Sequence, residues 1–242
     1  MQPVSRLLRN MPTSKSLGRE EFVSQVEAIS RNAAAVLDRD RQALRIRAVE
    51  GVVRRSAIPV RYRDAKLSAC VSGQRAAYAA VLDYASRFEE MKKTGTGMLL
   101  YGDIGTGKTY AACALGNALM QELRSVMYCT VLEAVLLIKR SWQRGSDVSE
   151  FEAYEQFTVP ELLILDEVGV QHGSEFEAMA LSSIIDARSR ACLPTLAISN
   201  HDVQAVAEII GERAFDRLLG FGGQVIEMRG QSLRHRVMVG NG

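Results

Sequence analysis

No apolar run in this 242-residue sequence approaches the ~18 residues that cross a membrane. The N-terminus carries Arg6 and Arg9 but no apolar core of signal-peptide length. A membrane partner is therefore not expected. Cysteine is scarce, and Cys70, Cys113, Cys129 and Cys192 form no C-x-x-C pair and have no histidine at ligand spacing. That argues against both a zinc site and a disulfide framework. Free, mostly buried thiols suit a reducing cytoplasm, which is the expected location. Internal repeats and low-complexity blocks are also missing. So is any overall charge excess: 30 Lys/Arg stand against 28 Asp/Glu, a net +2 that says nothing about partners.

The distribution of charge is more informative. Residues 1–97 hold 18 Lys/Arg against 10 Asp/Glu, whereas residues 98–242 hold 12 against 18. A basic arm on an acidic body suits an anionic partner, either nucleic acid or an acidic protein face, although a solvated charged helix would give the same count. Residues 1–18 lack periodicity. From Arg19, Phe22, Val26, Ile29, Ala33 and Val36 step by four and three, one stripe on a helix, and no Pro or Gly intervenes before Gly51. Such a stripe must pack on something, and the expectation is a helical partner-binding region over 1–55.

Residues 56–97 read as a basic linker and a leading helix. The linker around Pro59 carries Arg61, Arg63 and Lys66 beside Tyr62, a mixture that could track a nucleic-acid backbone or simply connect domains. One helix is expected over 74–93, turning Ala77, Val81, Tyr84, Ala85 and Phe88 to the core. From Met98 short apolar runs alternate with helical stretches, the pattern of an α/β parallel sheet. Five strands are expected: 98–101, 126–130, 162–165, 196–199 and 225–228.

The first strand runs into GDIGTGKT, which fits the phosphate-binding loop G-x-x-x-x-G-K-[ST] in its required setting of strand before and helix after. The expected nucleotide-binding residues are Gly102, Asp103, Ile104, Gly105, Thr106, Gly107, Lys108, Thr109 and Tyr110. The glycines let successive amides converge on a di- or triphosphate at a helix N-terminus. Lys108 would reach the outer phosphates and the Thr109 hydroxyl would bind Mg²⁺. The third strand ends in LLILDEVGVQ, about sixty residues on. Its apolar run delivers Asp166, a metal-holding carboxylate, and Glu167, placed to polarise a water for attack on a γ-phosphate.

Two further positions follow. Asn200 closes the fourth strand, TLAISN, where it can orient the attacking water or merely cap a turn. His201 is assigned nothing. In GERAFDRLLGFGG, Arg213 and Arg217 lie four residues apart on one helix face, suited to reaching a neighbouring subunit's nucleotide or to a surface salt bridge. Trp142 beside Lys139, Arg140 and Arg144, and Phe176 on the turn after the third strand, are candidates for stacking single-stranded DNA; Trp142 could equally cap the core.

Taken together, GDIGTGKT, LLILDEVGVQ, SIIDARSRACLPTLAISN, GERAFDRLLGFGG and SLRHRV resemble the AAA+ domain of bacterial DnaC-type replicative helicase loaders, and SAIPVRYRDAKL resembles the connector that precedes it. The resemblance covers roughly residues 56–238. It implies a P-loop AAA+ ATPase domain over 98–242, with Arg217 as the arginine finger and Arg213 its alternative, Asn200 as sensor 1 and Arg234 as sensor 2. With only 14 residues from Arg229 onward, no full helical lid is expected. The implied task is ATP-dependent: binding a hexameric DnaB-type replicative helicase through the N-terminal region and delivering it to single-stranded DNA, with the ATPase bodies forming a homo-oligomer. An IstB-type transposition helper shares the phosphate loop and the Asp-Glu strand, but DEVGVQ argues against it. A nucleotide-regulated single-stranded DNA-binding module that does not turn over is a further alternative. A small-molecule P-loop kinase is disfavoured by Glu167, the Arg pair and the lack of an acceptor lid.

Overall fold

The computed structural model describes residues 56–69, 73–170 and 175–233, together with Val23, Ser24, Glu27, Ala28, Arg31 and Ala34. Chain packing divides at Gly51, with residues 52–242 forming the larger unit. The six described residues of the arm are helical and exposed. The stripe from Phe22 to Val36 lies outside the described residues.

In the larger unit a 3₁₀ turn, Val60–Tyr62, leads into α1 (Arg75–Ser86) and α2 (Phe88–Thr94). There follow β1 (Met98–Gly102), α3 (Lys108–Gln121), β2 (Val126–Thr130), α4 (Val131–Ser141), α5 (Glu150–Thr158) and β3 (Leu162–Val168). The order closes with α6 (Glu175–Arg190), β4 (Thr195–Ser199), α7 (Val203–Ile210), α8 (Glu212–Leu219) and β5 (Gln224–Met228). All five expected strands form, within a residue at most ends and three residues longer at the end of β3. Among the described residues no helix is long and apolar enough to cross a membrane.

The single helix expected over 74–93 is two. The chain breaks at Arg87, whose guanidinium binds Asp83 and Glu90 at the surface while Phe88 and Met91 turn inward to buried positions. Gly95 ends α2 in the left-handed conformation, which satisfies a carbonyl of the last turn. Helices α4 and α5 each begin in a capping box, Thr130 with Glu133 and Ser149 with Glu152, so their boundaries are written in local sequence.

The sheet is wholly parallel, in the order β2-β3-β4-β1-β5. Because side chains alternate along a strand, its near-continuous apolar runs feed two cores. Met98, Leu100, Ile164 and Ile198 face α1 and α3, while Leu99, Leu163, Leu165 and Ala197 face the layer of α4 to α8. The linker is not a loose connector. Ile58 and Ala65 are buried in the first core, and Asn117 of α3 donates to the Tyr62 and Ala65 carbonyls at 2.8 and 3.0 Å.

Below the sheet, Arg188 of α6 is fully buried. Its guanidinium donates to the carbonyls of Phe157, Pro160, Glu161 and Pro194 and to the Thr195 hydroxyl, joining α5, β3, α6 and β4. Burial lowers its pKa to about 9, so it stays charged at neutral pH.

Candidate nucleotide site

The carboxyl ends of β1, β3 and β4 open on a cavity of about 350 Å³, where ligands sit in open α/β sheets. It is lined by Ile104, Gly105, Gly107, Lys108, Thr109 and Tyr110 of the loop, by Asp166 and Glu167 of β3, and by Asn200 beyond β4. Of the other expected loop residues, Gly102, Asp103 and Thr106 shape the loop from behind. Lys108 Nζ donates to the Gly102 and Asp103 carbonyls at 2.8 and 2.7 Å, and the Thr106 hydroxyl donates to the Asp103 carbonyl. Gly107, at φ 100°, turns the chain into α3, so the first turn of the helix faces the cavity with the positive end of the helix dipole. Gly102, at φ 128°, leaves no room for a Cβ, which would fall 2.4 Å from the Met228 carbonyl oxygen.

Asp166 is buried, 5% exposed, and its carboxylate accepts three hydrogen bonds. Oδ2 accepts from the Thr109 hydroxyl at 3.0 Å and the Tyr128 hydroxyl at 2.7 Å; Oδ1 accepts from the Glu167 amide at 2.8 Å. Burial, then the Asp166 charge, raises the Tyr128 phenol well above its usual range, so it remains a donor. Behind the same carboxylate, burial with Asp166 pushes the Cys113 thiol up to about 12. The pairing of β3 with β4 slips between Leu165 and Val168, and Glu167 takes φ 63°. A bulge of this kind re-aims a side chain. Here it keeps Glu167 exposed at the rim while its neighbours are buried.

Thr109 and Asp166 suit Mg²⁺: one hydroxyl and one carboxylate converge beside a phosphate cradle, as expected for a cation that takes its remaining ligands from phosphate and water. Among the described residues no group of three His, Cys, Asp or Glu could hold a metal unaided.

Asn200 is exposed at the mouth. The turn carrying it is tied to the turn carrying Glu167. Ser199 Oγ donates to the Val168 carbonyl at 2.7 Å, and His201 Nε2 lies 3.0 Å from the Gly169 carbonyl, an acceptor that fixes the proton on Nε2. His201 was invisible in the sequence as anything but a loop residue.

His201 does not line the cavity, but Arg61, Tyr62 and Leu233 do, and the sequence reading did not assign them to the site. Arg61 and Tyr62 belong to the segment read as a nucleic-acid-tracking linker, and the Arg61 guanidinium lies 4.8 Å from the Tyr62 ring centre. Their signal was a basic-aromatic pair, which the sequence reading had not connected with the phosphate-binding loop. Leu233 donates its amide to the Gly105 carbonyl at 2.9 Å, bringing the strand-exit segment over the loop. Arg234, the expected sensor 2, lies outside the described residues.

The two arginines lie on α8, away from the cavity lining. Arg217 is ion-paired with Asp186 of α6, their facing atoms in contact but not aligned as a hydrogen bond. Arg213 is exposed and makes no ion pair among the described residues. Trp142 is half-exposed and caps α4. Phe176 is not on a turn, as expected, but in the first turn of α6, because the helix begins at Glu175. The two rings meet edge to face at 4.9 Å, with Lys139 Nζ 4.9 Å from the Phe176 centre. Two aromatics named separately from the sequence thus form one patch.

Comparison with known proteins bears on the same regions. The model of the family described as IstB-like ATP binding protein matches residues 21–239. The replicative helicase loader DnaC of Buchnera aphidicola subsp. Schizaphis graminum is 31% identical over 146 residues, 60% of this chain and 58% of that protein. The chain therefore spans little more than half the length of the curated relative it matches. A crystal structure of the DnaC helicase loader superposes with TM-score 0.60 at 18% identity, covering 71% of this chain and all of the other. AMPPCP-bound DnaA from Aquifex aeolicus superposes with TM-score 0.58 at 20% identity, covering 75% and 54%. At these identities the superpositions show the fold, that of AAA+ P-loop domains.

Proposed function

As this chain belongs to the family of IstB-like ATP binding proteins, we propose that it is an ATP-hydrolysing helicase loader, which binds a hexameric DnaB-type replicative helicase and delivers it to single-stranded DNA. The observation that carries the reading is the convergence of Lys108, Thr109, Asp166, Glu167 and Asn200 on one cavity. The DnaC relative supplies the task.

In this reading the amides of the loop and the N-terminus of α3 receive the phosphates, and Lys108 exchanges its carbonyl partners for the outer phosphate oxygens. Mg²⁺, when bound, neutralises charge on the phosphates; Thr109 and Asp166 would hold it. Glu167, exposed at the bulge, takes the proton of a water that Asn200 orients for in-line attack on the γ-phosphate. Tyr62, Ile104 and Leu233 give the cavity lining apolar surface that the base could meet.

The finger would come from α8 of an adjacent copy. Arg213 is free to reach, whereas Arg217 must first leave Asp186. Trp142, Phe176 and Lys139 combine two π faces with a cation, a surface on which a base can stack beside its phosphate. The N-terminal region, with its basic excess, is the proposed grip on the helicase.

The test uses full-length Glu167→Gln, which removes the proton acceptor and preserves binding. With ATP it should trap a stable complex with the hexameric helicase, and wild type should release it upon hydrolysis. A variant that forms no more complex than wild type overturns the loader reading. The family match itself favours a second reading, an IstB-type transposition helper. That reading predicts no helicase complex with either form and ATP-dependent binding to duplex DNA instead.

A further inference from the structure

Tyr128 lies on β2, one strand away from the carboxylate it binds. The register pairs Tyr128 with Ile164 and Thr130 with Asp166, so the Tyr128 side chain leaves the same face of the sheet as Asp166, two residues upstream. Its ring lies in the core between the sheet and α3, only 8% of the residue exposed, and its hydroxyl reaches Asp166 Oδ2 at 2.7 Å. An ionised carboxylate has about four acceptor positions on its two oxygens. Three are filled, by Thr109, Tyr128 and the Glu167 amide. Of these, the Thr109 hydroxyl is the one whose oxygen is also needed by a cation. Were Thr109 to hold a cation through that oxygen, the phenol on Oδ2 and the amide on Oδ1 would remain to orient the carboxylate.

We propose that Tyr128 is a positioning residue for cation binding: its hydroxyl fixes the rotation and location of the Asp166 carboxylate so that it meets the Mg²⁺ of bound ATP beside Thr109. This rests on the reading of the cavity as an ATP site. The phenol is well suited to the task. A rigid ring buried in the core presents its hydroxyl to Asp166 without itself lining the cavity. Partners that orient a metal-binding side chain typically change metal affinity or activity by roughly 10–100-fold when removed. The Asp166–Tyr128 bond also joins β2, an edge strand, to the site at the centre of the sheet. Sequence reading passed Tyr128 over because an aromatic in an apolar strand is ordinarily core.

Tyr128→Phe keeps the ring and removes the hydroxyl. Three measurements on the full chain separate positioning from packing. The first is Mn²⁺ affinity of the protein saturated with a non-hydrolysable ATP analogue, read by electron paramagnetic resonance. The second is binding of a fluorescent ATP analogue in EDTA. The third is ATPase rate against Mg²⁺ concentration. The expected result is Mn²⁺ affinity weakened about 10-fold or more, EDTA-phase nucleotide affinity within about twofold of wild type, and an ATPase that needs correspondingly more Mg²⁺ but recovers its kcat at saturation. A lower melting temperature with unchanged Mn²⁺ affinity and Mg²⁺ dependence would reduce Tyr128 to a packing residue and overturn the proposal. A wild-type protein that binds neither nucleotide nor its Mn²⁺ complex would overturn the ATP-site reading, and this proposal with it.

Discussion

At the scale of single residues, the site concentrates polar groups that the fold must hold in place, and Lys108 is the simplest of them. Its ammonium is held by two carbonyls of the loop it serves, and only 5% of the residue is exposed. Lys108→Ala removes the charge that would exchange those carbonyls for phosphate. Loss of one or two charge-assisted bonds, about 1.5–3 kcal/mol each, predicts ATP affinity reduced by at least about tenfold, read by titration with a fluorescent analogue. Arg188 is the structural counterpart. Replacing it with Met keeps the length but leaves four carbonyls and a hydroxyl without their donor. Breaking such a buried charged network costs about 3–5 kcal/mol, which should appear as a lower urea midpoint at pH 7. A loss below about 1 kcal/mol would mean that water replaces the guanidinium. The contrast between these residues also marks what sequence alone conveys. Lys108, Thr109 and Asp166 were legible because phosphate and cation chemistry needs those residue types at fixed offsets from a strand end. Tyr128, His201 and Arg188 were not, because each acts through a partner 30 or more residues away along the chain, on a neighbouring strand or helix.

At the scale of elements, two joints connect the sheet to what surrounds it. The first is the segment before α1. Asn117 holds two of its carbonyls, and the Lys66 amide donates to the Tyr110 hydroxyl at 3.2 Å. Asn117→Ala should cost about 1–3 kcal/mol, since both acceptors lose their donor. It should also reduce the rise in melting temperature that ATP gives, because Tyr62 lines the cavity and bound ligand stabilises only the state that binds it. The second joint is Glu161, just before β3. Burial raises its pKa, but the Lys92 ammonium, the Ser125 amide and Arg124 outweigh it and hold the carboxyl below its ordinary value. A carboxyl lowered on folding binds fewer protons in the native state, so its contribution is present above the unfolded pKa of about 4.3 and fades as pH falls through the lower folded value. Glu161→Gln should therefore flatten the acid side of the stability profile below about pH 5 while also lowering stability at neutral pH. The strands of the sheet were legible because buried parallel strands are short apolar runs. The division of 74–93 at Arg87 was not, since no Pro or Gly marks it and the burial of Phe88 and Met91 decides it.

At the scale of the whole molecule, the proposed ATP site draws its phosphate cradle, cation-holding pair, proton acceptor and water-orienting amide from one chain, and on this reading a further cation for the outer phosphate would come from a second copy. The α8 arginines lie outside the lining, one exposed and one ion-paired. On the proposed reading, one of these arginines in a neighbouring copy would complete the site. Such a finger is worth about 10³-fold or more in rate where it operates. The most direct test is ATPase rate per subunit against protein concentration, with and without single-stranded DNA, for wild type, Arg213→Ala and Arg217→Ala. The account predicts a rate that rises with concentration and falls by about 10³-fold in one of the two variants, at unchanged ATP affinity. A rate independent of concentration and indifferent to both arginines would contradict it and leave a self-contained nucleotide site.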